Sequence, residues 1–449
     1  MSRSIKLKKG LDIQLLGEAE KVIAPLETLQ YALKPTDFPG IFPKLLVKAG
    51  DTVKAGTPVF YDKYREEIKV CSPVSGTVTD IVRGEKRALL EIRIEADKDQ
   101  EYLDFGKADP SALSGDEIKE KLLTSGLWPS LIQRPYAVVA DYDKKPKTII
   151  VSGFNTAPLA PDMDMLVHGH GPEFQTGLDA LAKMTDGVVH LNLKKDAPVS
   201  KVFEKSKNVQ INYFDGPHPA GNPGIQLHHL DPLNKGQVAW YLSPCAVMRI
   251  GRLFLTGKYD DSRLVALTGS EVKRPGYYRL TGGAQLKEMF SNNLSDAKNR
   301  IISGDVLTGT KIPEDGYLGF YDNQVTVIPE GDHSEFLGWI MPGFKKYSTS
   351  RAFFSWLTPQ KKYRLDTNLH GGVRSFVVTG EMEKFFPMDI LPMYLIKAIL
   401  VKDIDQMENL GIYEVGPEDF ALAEFANTSK ENLQKIVREG LEYLRKEMN

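Results

Sequence analysis

The stretch EIKVCSPVSGTVTDIVRGEKRALLEIRIE, residues 67–95, decides the fold of the first part of the chain. Apolar and polar residues alternate along it, and Gly76 and Gly84 mark turns, as in short antiparallel strands. The preceding stretch PKLLVKAGDTVKAGTPVFYDK, residues 43–63, repeats this pattern with two interior glycines of its own. Two similar hairpin units of this kind predict a small barrel-sandwich, and another small antiparallel β domain is the alternative.

The string KVCSPVSGTV at residues 69–78 resembles the descending half of the hairpin in biotinyl and lipoyl carrier domains. In such carriers, the lysine that holds the prosthetic group lies eight residues before the proline of a P-x-x-G motif. Counting back from Pro73 gives Arg65, which cannot form that amide, and Lys63 is two residues out of register. The string therefore indicates the carrier architecture rather than a carrier function, and a mass increase at a lysine near residue 63 would indicate the latter.

Between about residues 105 and 250 the sequence changes to alternating strands and helices. Ser114 is a candidate N-cap for an amphipathic helix that carries Leu122, Leu123 and Leu127 on one face. Downstream, three β-rich apolar runs are separated by helical patterns; these runs are TIIVSGF (148–154), GVVHLNL (187–193) and VQINYF (209–214). Such alternation predicts a parallel, Rossmann-like α/β sheet with crossover connections.

The remainder of the chain divides into a β-rich and a helical part. RLVALTGSEVKRPGYYRL, residues 263–280, predicts two strands around a turn and resembles a β-grasp unit of the soluble-ligand-binding kind, for which scaffold and ligand-binding roles both stay open. Near the C-terminus, Thr428 and Glu431 predict a capping box for a final amphipathic helix. The expected domains are therefore barrel-sandwich (1–100), Rossmann-like (101–254), β-grasp (255–330), and a connecting segment with a helical domain (331–449).

Charge and cysteine content exclude several classes of function. The 57 Lys and Arg residues nearly balance the 59 Asp and Glu residues, so the formal net charge is -2. This balance excludes nucleic-acid binding through bulk positive charge. Cys71 and Cys245 are the two cysteines, and two thiols cannot build a disulfide framework, a four-cysteine zinc site or an iron–sulfur cluster from this chain alone.

The apolar segments of the sequence are too short to span a membrane. The longest, residues 388–401, contains Pro392 and Lys397, and a span needs about 20 apolar residues. No apolar region follows the basic N-terminal residues, so no secretory signal is expected. For residues 385–404, a core helix and a docking face for membrane-embedded partners both stay open. Any membrane association is expected to come through partner subunits.

Polar residues that could contact a ligand fall in two stretches of the predicted α/β domain. VHGHGPEFQTGLDAL, residues 167–181, places glycines before a helix, where backbone amides can hold phosphate. FDGPHPAGNPGIQLHHLDP, residues 214–232, follows a strand as ligand loops do at the carboxyl edge of a parallel sheet. The resulting candidates for ligand contact are His168, His170, Asp215, His218, Asn222, His228 and His229.

Alternative roles for these two stretches also stay open. The first resembles the FMN loop of the NADH-oxidising subunit of respiratory complex I, but Pro172 and Glu173 stand where small residues are wanted, and a carboxylate repels phosphate. The second is interpreted as a structural loop with hydrogen-bonded histidines, a quinone- or nucleotide-contacting loop, or a metal site. No His-x-x-x-His or cysteine spacing supports the metal interpretation.

Several long strings together resemble the NqrA family, which supplies one subunit of the Na+-translocating NADH:quinone oxidoreductase. The strings include IKLKKGLDI (5–13), DFPGIFPKLLVKAGDTVKAGTPVFYDK (37–63), LWPSLIQRPYAVVAD (127–141), FNTAPLAPD (154–162), DGPHPAGNPGIQLHHLDPLNKG (215–236) and LTGSEVKRPGYY (267–278). The resemblance implies the fold of the complex I flavoprotein relatives with their cofactor sites lost. It is consistent with the altered glycine loop and with the absence of cysteines after Cys245.

The resemblance also implies a function and a location. The chain would be a peripheral subunit on the cytoplasmic face of the bacterial inner membrane, in a six-subunit complex with partner subunits B to F. That complex couples NADH oxidation and ubiquinone reduction to outward Na+ transport, with its flavins and iron–sulfur cluster on other subunits. This subunit is expected to contribute to the quinone-reduction step, to bind no cofactor or metal, and not to be catalytic alone. The candidates for ligand contact listed above would then be the candidates for quinone contact. A free-standing oxidoreductase that binds FMN and NADH is the alternative.

Overall fold

The computed structural model describes residues 2–448 except residues 334, 339 and 360. The strands of the described residues are, in chain order, β1 (Ser4–Lys6), β2 (Ile23–Pro25), β3 (Gln30–Leu33), β4 (Pro43–Leu45), β5 (Thr52–Val53), β6 (Pro58–Asp62), β7 (Arg65–Cys71), β8 (Gly76–Arg83), β9 (Leu89–Ala96), β10 (Ile132–Arg134), β11 (Val138–Val139), β12 (Thr148–Ser152), β13 (Val188–Lys194), β14 (Gln210–Asp215), β15 (Ala239–Leu242), β16 (Ser262–Thr268), β17 (Gly276–Thr281), β18 (Asn299–Ser303), β19 (Thr310–Ile312) and β20 (Gln324–Pro329).

The α-helices of the same residues are α1 (Gly115–Ser125), α2 (Met163–Val167), α3 (Gly171–Lys183), α4 (Lys201–Glu204), α5 (Pro223–Leu230), α6 (Pro244–Thr256), α7 (Lys287–Phe290), α8 (Pro392–Val401), α9 (Ile404–Asn409), α10 (Ala421–Ala426) and α11 (Leu433–Met448). Short 3-10 helices cover Pro35–Asp37, Glu85–Arg87, Pro110–Ala112, Trp128–Ser130, Phe354–Leu357, Met382–Lys384 and Pro417–Phe420.

A seven-stranded sheet in the order β1-β14-β13-β12-β15-β10-β11 forms the centre of the α/β part. The neighbours β14, β13, β12 and β15 are parallel, and β10 pairs antiparallel with β15. The apolar run Thr148–Ser152 is buried along its whole length because helices or other domains cover both faces of β12. The strand order reverses beside β12, as in Rossmann-like sheets, and the predicted α/β fold is confirmed.

The predicted barrel-sandwich consists of two antiparallel sheets. One has the order β3-β9-β8-β5 and the other β4-β6-β7. Burial alternates along β9, where Ile92 and Ile94 are fully buried, and Phe60 and Ile68 of the second sheet belong to the same core. The alternation seen in the sequence therefore produces the expected hairpin architecture.

The first 27 residues lie outside that sandwich. Strand β1 pairs in parallel with β14 at the edge of the α/β sheet, and β2 pairs in parallel with β17. The strands of the sandwich begin only at β3, so the pairing differs from the expected 1–100 unit at its start. The difference arises from long-range pairing, because β1 and β2 bind to the free edges of β14 and β17.

A six-stranded sheet in the order β19-β18-β20-β16-β17-β2 corresponds to the predicted β-grasp part. Val265, Leu267, Val325 and Val327 are buried on its face, and Phe290 of α7 packs in the same core. Antiparallel pairing of β16 with β17 around the turn at Pro275 and Gly276 agrees with the expected hairpin.

The C-terminal helices pack on the face of the α/β sheet that also carries α5. Leu433, Val437, Leu441 and Leu444 form the buried stripe of α11 and share a core with residues of the sheet. The predicted capping box at Thr428 and Glu431 is wrong. Asn432 precedes the helix instead, and its side-chain oxygen accepts from Lys435 N at 3.0 Å.

Helices α3 and α6 approach each other at backbone distance on the opposite face of the sheet. A Cβ atom on Gly177 would lie 2.1 Å from the carbonyl oxygen of Val247, and one on Gly251 would lie 1.7 Å from that of Glu173. Glycine at both positions is therefore what allows the two crossover helices to pack this closely.

Candidate functional site

His228 and His229 lie on α5 rather than in a loop, which corrects the expectation from sequence. Pro223 occupies the first turn of this helix, and Asn222 is its N-cap. His228 Nδ1 lies 2.7 Å from Glu414 Oε2, and His228 Nε2 accepts from Asp389 N at 3.0 Å. His229 Nε2 donates to Pro387 O at 2.7 Å. These two histidines therefore hold the C-terminal domain against α5.

Asn222 and Asp215 have different environments from each other. The Asn222 side chain donates to Glu418 O at 3.2 Å, so it also faces the C-terminal domain. Asp215 ends β14 with a partly exposed carboxylate, which lies 3.6 Å from Lys6 Nζ on the neighbouring strand β1. This exposed ion pair contributes little to stability, typically below about 1 kcal/mol.

His218 is buried where the strand ends of the α/β sheet meet the N-terminal segment. Its Nδ1 lies 3.1 Å from Thr156 Oγ1, and its backbone N–H donates to Asp12 Oδ1 at 2.8 Å. The other ring nitrogen, Nε2, has no hydrogen-bond partner among the described residues. Burial lowers the pKa of His218, so the neutral imidazole is favoured. A neutral imidazole can exchange a proton, but this one is shielded from solvent.

His168 and His170 are the accessible members of the candidate set. They lie between α2 and α3, and the side chains are 79% and 39% exposed. His170 Nδ1 lies 3.0 Å from Glu173 Oε1 in the first turn of α3. Burial opposes ionisation of Glu173, but the hydrogen bond from His170 keeps the pKa of its carboxyl below the usual value. Cβ atoms added to Gly169 or Gly171 would meet nothing within 4 Å, so this loop is open to solvent.

The candidate histidines and Asn222 therefore occupy three settings: an open loop at His168 and His170, a buried junction at His218, and the contact between α5 and the C-terminal domain. Asp215 lies apart from these, partly exposed at the end of β14. Within the described part of the chain, no hydrogen bond or ion pair joins the histidines of the first setting to those of the other two. Among the described residues, no group of three or more His, Cys, Asp or Glu side chains is arranged to hold a metal ion.

Burial raises the pKa of the Cys71 thiol to about 12 and also raises that of Cys245.

A buried charge cluster that sequence reasoning missed joins β10 to the C-terminal domain. The fully buried Arg134 donates through Nη2 to Glu418 Oε1 at 2.6 Å and to Asp419 Oδ2 at 3.0 Å. Its guanidinium lies 5.3 Å from the ring centre of Tyr241. Burial raises the pKa of Asp419 to about 7; the charge of Arg134 opposes this shift, and the neighbouring Glu418 carboxylate adds to it. An arginine inside the apolar run LIQRPYAVV was the available sequence signal.

A second missed cluster joins α6 to the β-grasp part. Asp261 accepts from Arg249 at 2.9 Å and from Arg263 at 2.5 Å, and all three side chains are buried. Burial opposes ionisation of Asp261, but the two arginines keep the pKa of its carboxyl below the usual value. Asp261 also lines a cavity of about 190 Å³ with Tyr31 and Tyr102, between the sandwich and the β-grasp part. This volume is below the roughly 300–1,000 Å³ typical of sites for organic ligands.

Comparison with protein families matches three successive regions to domains of one family. Residues 5–97 match the NqrA N-terminal barrel-sandwich hybrid domain, and residues 113–259 match the NqrA second alpha/beta domain. Residues 264–314 match the model described as NQRA C-terminal domain. A crystal structure of an NAD+-reducing [NiFe]-hydrogenase in the air-oxidized state covers 49% of this chain and 48% of its own, at 14% identity and a TM-score of 0.36. That likeness is too low to carry an argument.

Curated relatives are similar to the chain along nearly its whole length. The protein from Rhodopirellula baltica is 37% identical over 450 residues, which cover 98% of each chain. Those from Pasteurella multocida and Neisseria meningitidis serogroup A are 37% and 36% identical, over 99% of this chain and all of theirs. All three are named as the A subunit of the Na(+)-translocating NADH-quinone reductase. The likeness and the three domain matches agree, and the chain belongs to the NqrA family, the A subunits of this reductase.

Proposed function

We propose that the chain is the peripheral A subunit of a sodium-translocating NADH:quinone reductase and contributes to its quinone-reduction step. It associates with partner subunits B to F at the cytoplasmic face of the bacterial inner membrane. The observation that carries this proposal is the likeness to NqrA relatives over 98–99% of the chain. None of the helices in the described part of the chain is both long and apolar enough to cross a membrane.

NADH and ubiquinone, or a related quinone, are the substrates of the complex in this proposal, and its flavins and iron–sulfur cluster lie on other subunits. The burial of Cys71 and Cys245 supports this division, because both thiols are held in their neutral form and neither is available as a thiolate ligand. The role of this chain is then to position its partners and to present polar groups to the quinone.

Within the candidate set, accessibility favours the loop at His168 and His170 as the quinone contact. A quinone needs hydrogen-bond donors for its carbonyl oxygens and an apolar surface for its ring. Because Nδ1 of His170 donates to Glu173, His170 can donate to a quinone oxygen through Nε2 when the ring is an imidazolium. The half-buried Met163 and Met165 on α2 supply apolar surface nearby in sequence. His218, Asn222, His228 and His229 instead act as positioning residues, because each is engaged between domains.

A titration with a short-tailed soluble quinone tests this contact. We expect the full-length chain to bind it at micromolar concentration, and His170→Ala or Glu173→Gln to weaken binding at least fivefold. His333→Ala is the matched control, since that histidine is also half-exposed, at 53%, but lies in another part of the chain. Absence of binding at high micromolar concentration, or equal loss in the control, would reject the site.

Co-purification tests the assignment to the complex. A tagged copy of the chain expressed in its own cells should recover hydrophobic membrane subunits and bound flavin from solubilised membranes. Recovery of a lone, colourless protein under conditions that keep membrane complexes intact would contradict the proposal. Mass spectrometry of the recovered subunits identifies the partners independently of quinone binding.

A further inference from the structure

Residues 340–364, IMPGFKKYSTSRAFFSWLTPQKKYR, differ in charge from the rest of the chain. This basic apolar segment contains six Lys or Arg residues and no Asp or Glu, in a chain whose formal net charge is -2. The basic residues are Lys345, Lys346, Arg351, Lys361, Lys362 and Arg364. A concentration of one sign of charge within 25 residues creates a local positive potential that the composition of the whole chain conceals.

The same segment exposes large apolar side chains. Six of them are 47–60% exposed; they are Ile340, Met341, Phe344, Phe354, Trp356 and Leu357. The rings of Phe344 and Phe354 lie 5.7 Å apart, and Phe354 N donates to Pro342 O at 2.9 Å. The exposed residues thus belong to one folded loop rather than to scattered surface positions, and a contiguous apolar patch marks an interaction surface.

The base of the segment is tied to the body of the protein. Tyr363 exchanges backbone hydrogen bonds with the N-terminal residues, accepting from Leu16 N at 3.0 Å and donating to Gln14 O at 2.8 Å. Arg364 forms an ion pair with the buried Glu271 at 2.7 Å. Tyr347 also packs against Phe425 of the C-terminal domain, with ring centres 5.7 Å apart. The segment is thus attached to the body of the protein while its large apolar side chains stay exposed, as a surface anchor requires.

Three of the six basic residues of the segment form ion pairs with carboxylates of the described residues. Lys346 pairs with Glu335 and Lys362 with Glu18, but Lys345, Arg351 and Lys361 form no ion pair with a carboxylate of the described residues. Arg351 lies 5.8 Å from the ring centre of Trp356, and Lys361 donates to Phe344 O. Cationic groups therefore surround the exposed aromatic rings, and no acidic residue of the segment opposes an anionic surface.

We propose that this basic apolar segment seats directly in the headgroup region of an anionic lipid bilayer. Aromatic side chains, Trp above all, favour the membrane–water interface, and Lys and Arg are attracted to anionic headgroups. The placement beside a membrane rests on the proposed function, but the contact with lipid goes beyond attachment through partner subunits. Cytoplasmic loops of membrane proteins carry an excess of Lys and Arg, so such loops would repel Lys345, Arg351 and Lys361, the three cations left without an ion pair among the described residues. This repulsion favours anionic lipid over a protein loop as the occupant.

Vesicle co-sedimentation of the full-length chain tests the proposal. We expect binding to vesicles of equal parts phosphatidylglycerol and phosphatidylcholine, and at least fivefold weaker binding to phosphatidylcholine alone or in 0.5 M NaCl. Lys345→Glu with Lys361→Glu should weaken binding at least fivefold, and Phe354→Ser with Trp356→Ser should do the same. Lys6→Glu with Lys145→Glu is the control, because these exposed lysines lie outside the segment.

Three outcomes would overturn the proposal. The chain could fail to bind vesicles, it could bind anionic and neutral vesicles equally well, or the control pair could weaken vesicle binding as much as the segment variants do. Failure of the segment variants to co-purify partner subunits, in the absence of vesicle binding, would instead identify a protein-docking surface. Circular dichroism and melting temperature of each variant establish that the substitutions at these exposed positions leave the fold intact. Identification of subunits B to F by co-purification does not depend on any of these results.

Discussion

His190 on β13 shows at the scale of one residue how burial changes protonation. Its side chain is buried, and its Nδ1 accepts from Asn212 Nδ2 at 3.1 Å. Asn212 in turn donates to Asn192, which donates to Gln226 on α5. Burial lowers the pKa of His190 from 6.5 to about 4, because the charge of Asp231 only partly offsets the lost hydration of an imidazolium.

This shift predicts a pH dependence of stability. Between about pH 4 and 6.5 the unfolded chain binds a proton at residue 190 and the folded chain does not, so stability rises with pH across this window. This gain in the free energy of unfolding is complete above about pH 6.5 and amounts to about 3 kcal/mol at most. The free energy of unfolding is measured by urea titration at pH 4.5, 5.5 and 7.0. In His190→Gln it should increase less with pH than in the unsubstituted chain. The exposed control His168→Gln should keep the full increase, and an unchanged increase in His190→Gln would contradict the argument.

Removal of Arg134 should destabilise the protein, because it leaves two buried carboxylates without a compensating charge. Replacing it by methionine keeps similar volume but leaves Glu418 and Asp419 without their cation in a buried site. We expect a loss of about 3–5 kcal/mol in the free energy of unfolding, measured by urea titration at neutral pH. Lys145→Met breaks the exposed pair with Asp186 and should cost less than about 0.5 kcal/mol. Similar losses in both variants would contradict the role assigned to burial.

At the scale of elements, the contact between α3 and α6 depends on two glycines. Gly251→Ala and Gly177→Ala each place a methyl group inside contact distance of a backbone carbonyl, which cannot move as a flexible side chain can. Each substitution should lower the free energy of unfolding by about 1–3 kcal/mol or more through separation of the helices. Gly171→Ala is the matched control at the start of α3, where the added methyl group meets nothing within 4 Å. Thermal unfolding of the three variants measures the difference.

Local signals in the sequence predicted elements well where the deciding contacts are also local. Ser114 caps α1, and its hydroxyl accepts from Glu117 N three residues away. The prediction at Thr428 failed because Asn432, closer to the apolar stripe, supplies the cap of α11 instead. The sequence predicts a loop at His228 and His229, because the glycines and prolines before them obscure Pro223 as the start of α5.

The candidate site was harder to predict than the fold, because burial decides which polar residues are available. Sequence spacing placed His170 and His228 in the same set, but His170 is open to solvent and His228 is engaged with Glu414. The Arg134 cluster joins residues that are 284 and 285 positions apart in the chain. No local pattern reports such pairs, since they arise only when the C-terminal domain packs on the sheet.

At the scale of the whole molecule, the N-terminal segment connects parts that are distant in sequence. Strand β1 completes one edge of the α/β sheet, β2 completes one edge of the β-grasp sheet, and Leu15 bridges to Tyr363. Ile13 and Leu15 share a small core with Phe385 and Leu422 of the C-terminal domain. The segment thus contacts every major part except the interior of the sandwich.

Deletion of residues 2–26 tests this connecting role. The deletion uncovers the edges of β14 and β17, and exposed strand edges promote association between chains. We expect a lower melting temperature and concentration-dependent aggregation, measured by calorimetry and light scattering. Lys6→Gln, which changes an exposed side chain but keeps β1, is the control. A monomeric deletion variant with the melting temperature of the full chain would contradict the expectation.

The position of β1 has a consequence for how the protein is made. Ser4–Lys6 leave the ribosome before the other strands described here, but their pairing partners Tyr213–Asp215 are translated about 200 residues later. At roughly 5–20 residues per second, this interval is on the order of 10–40 s. Throughout that time the nascent N-terminus has no native partner, so the sandwich that follows it in sequence is free to fold before the edge of the central sheet closes.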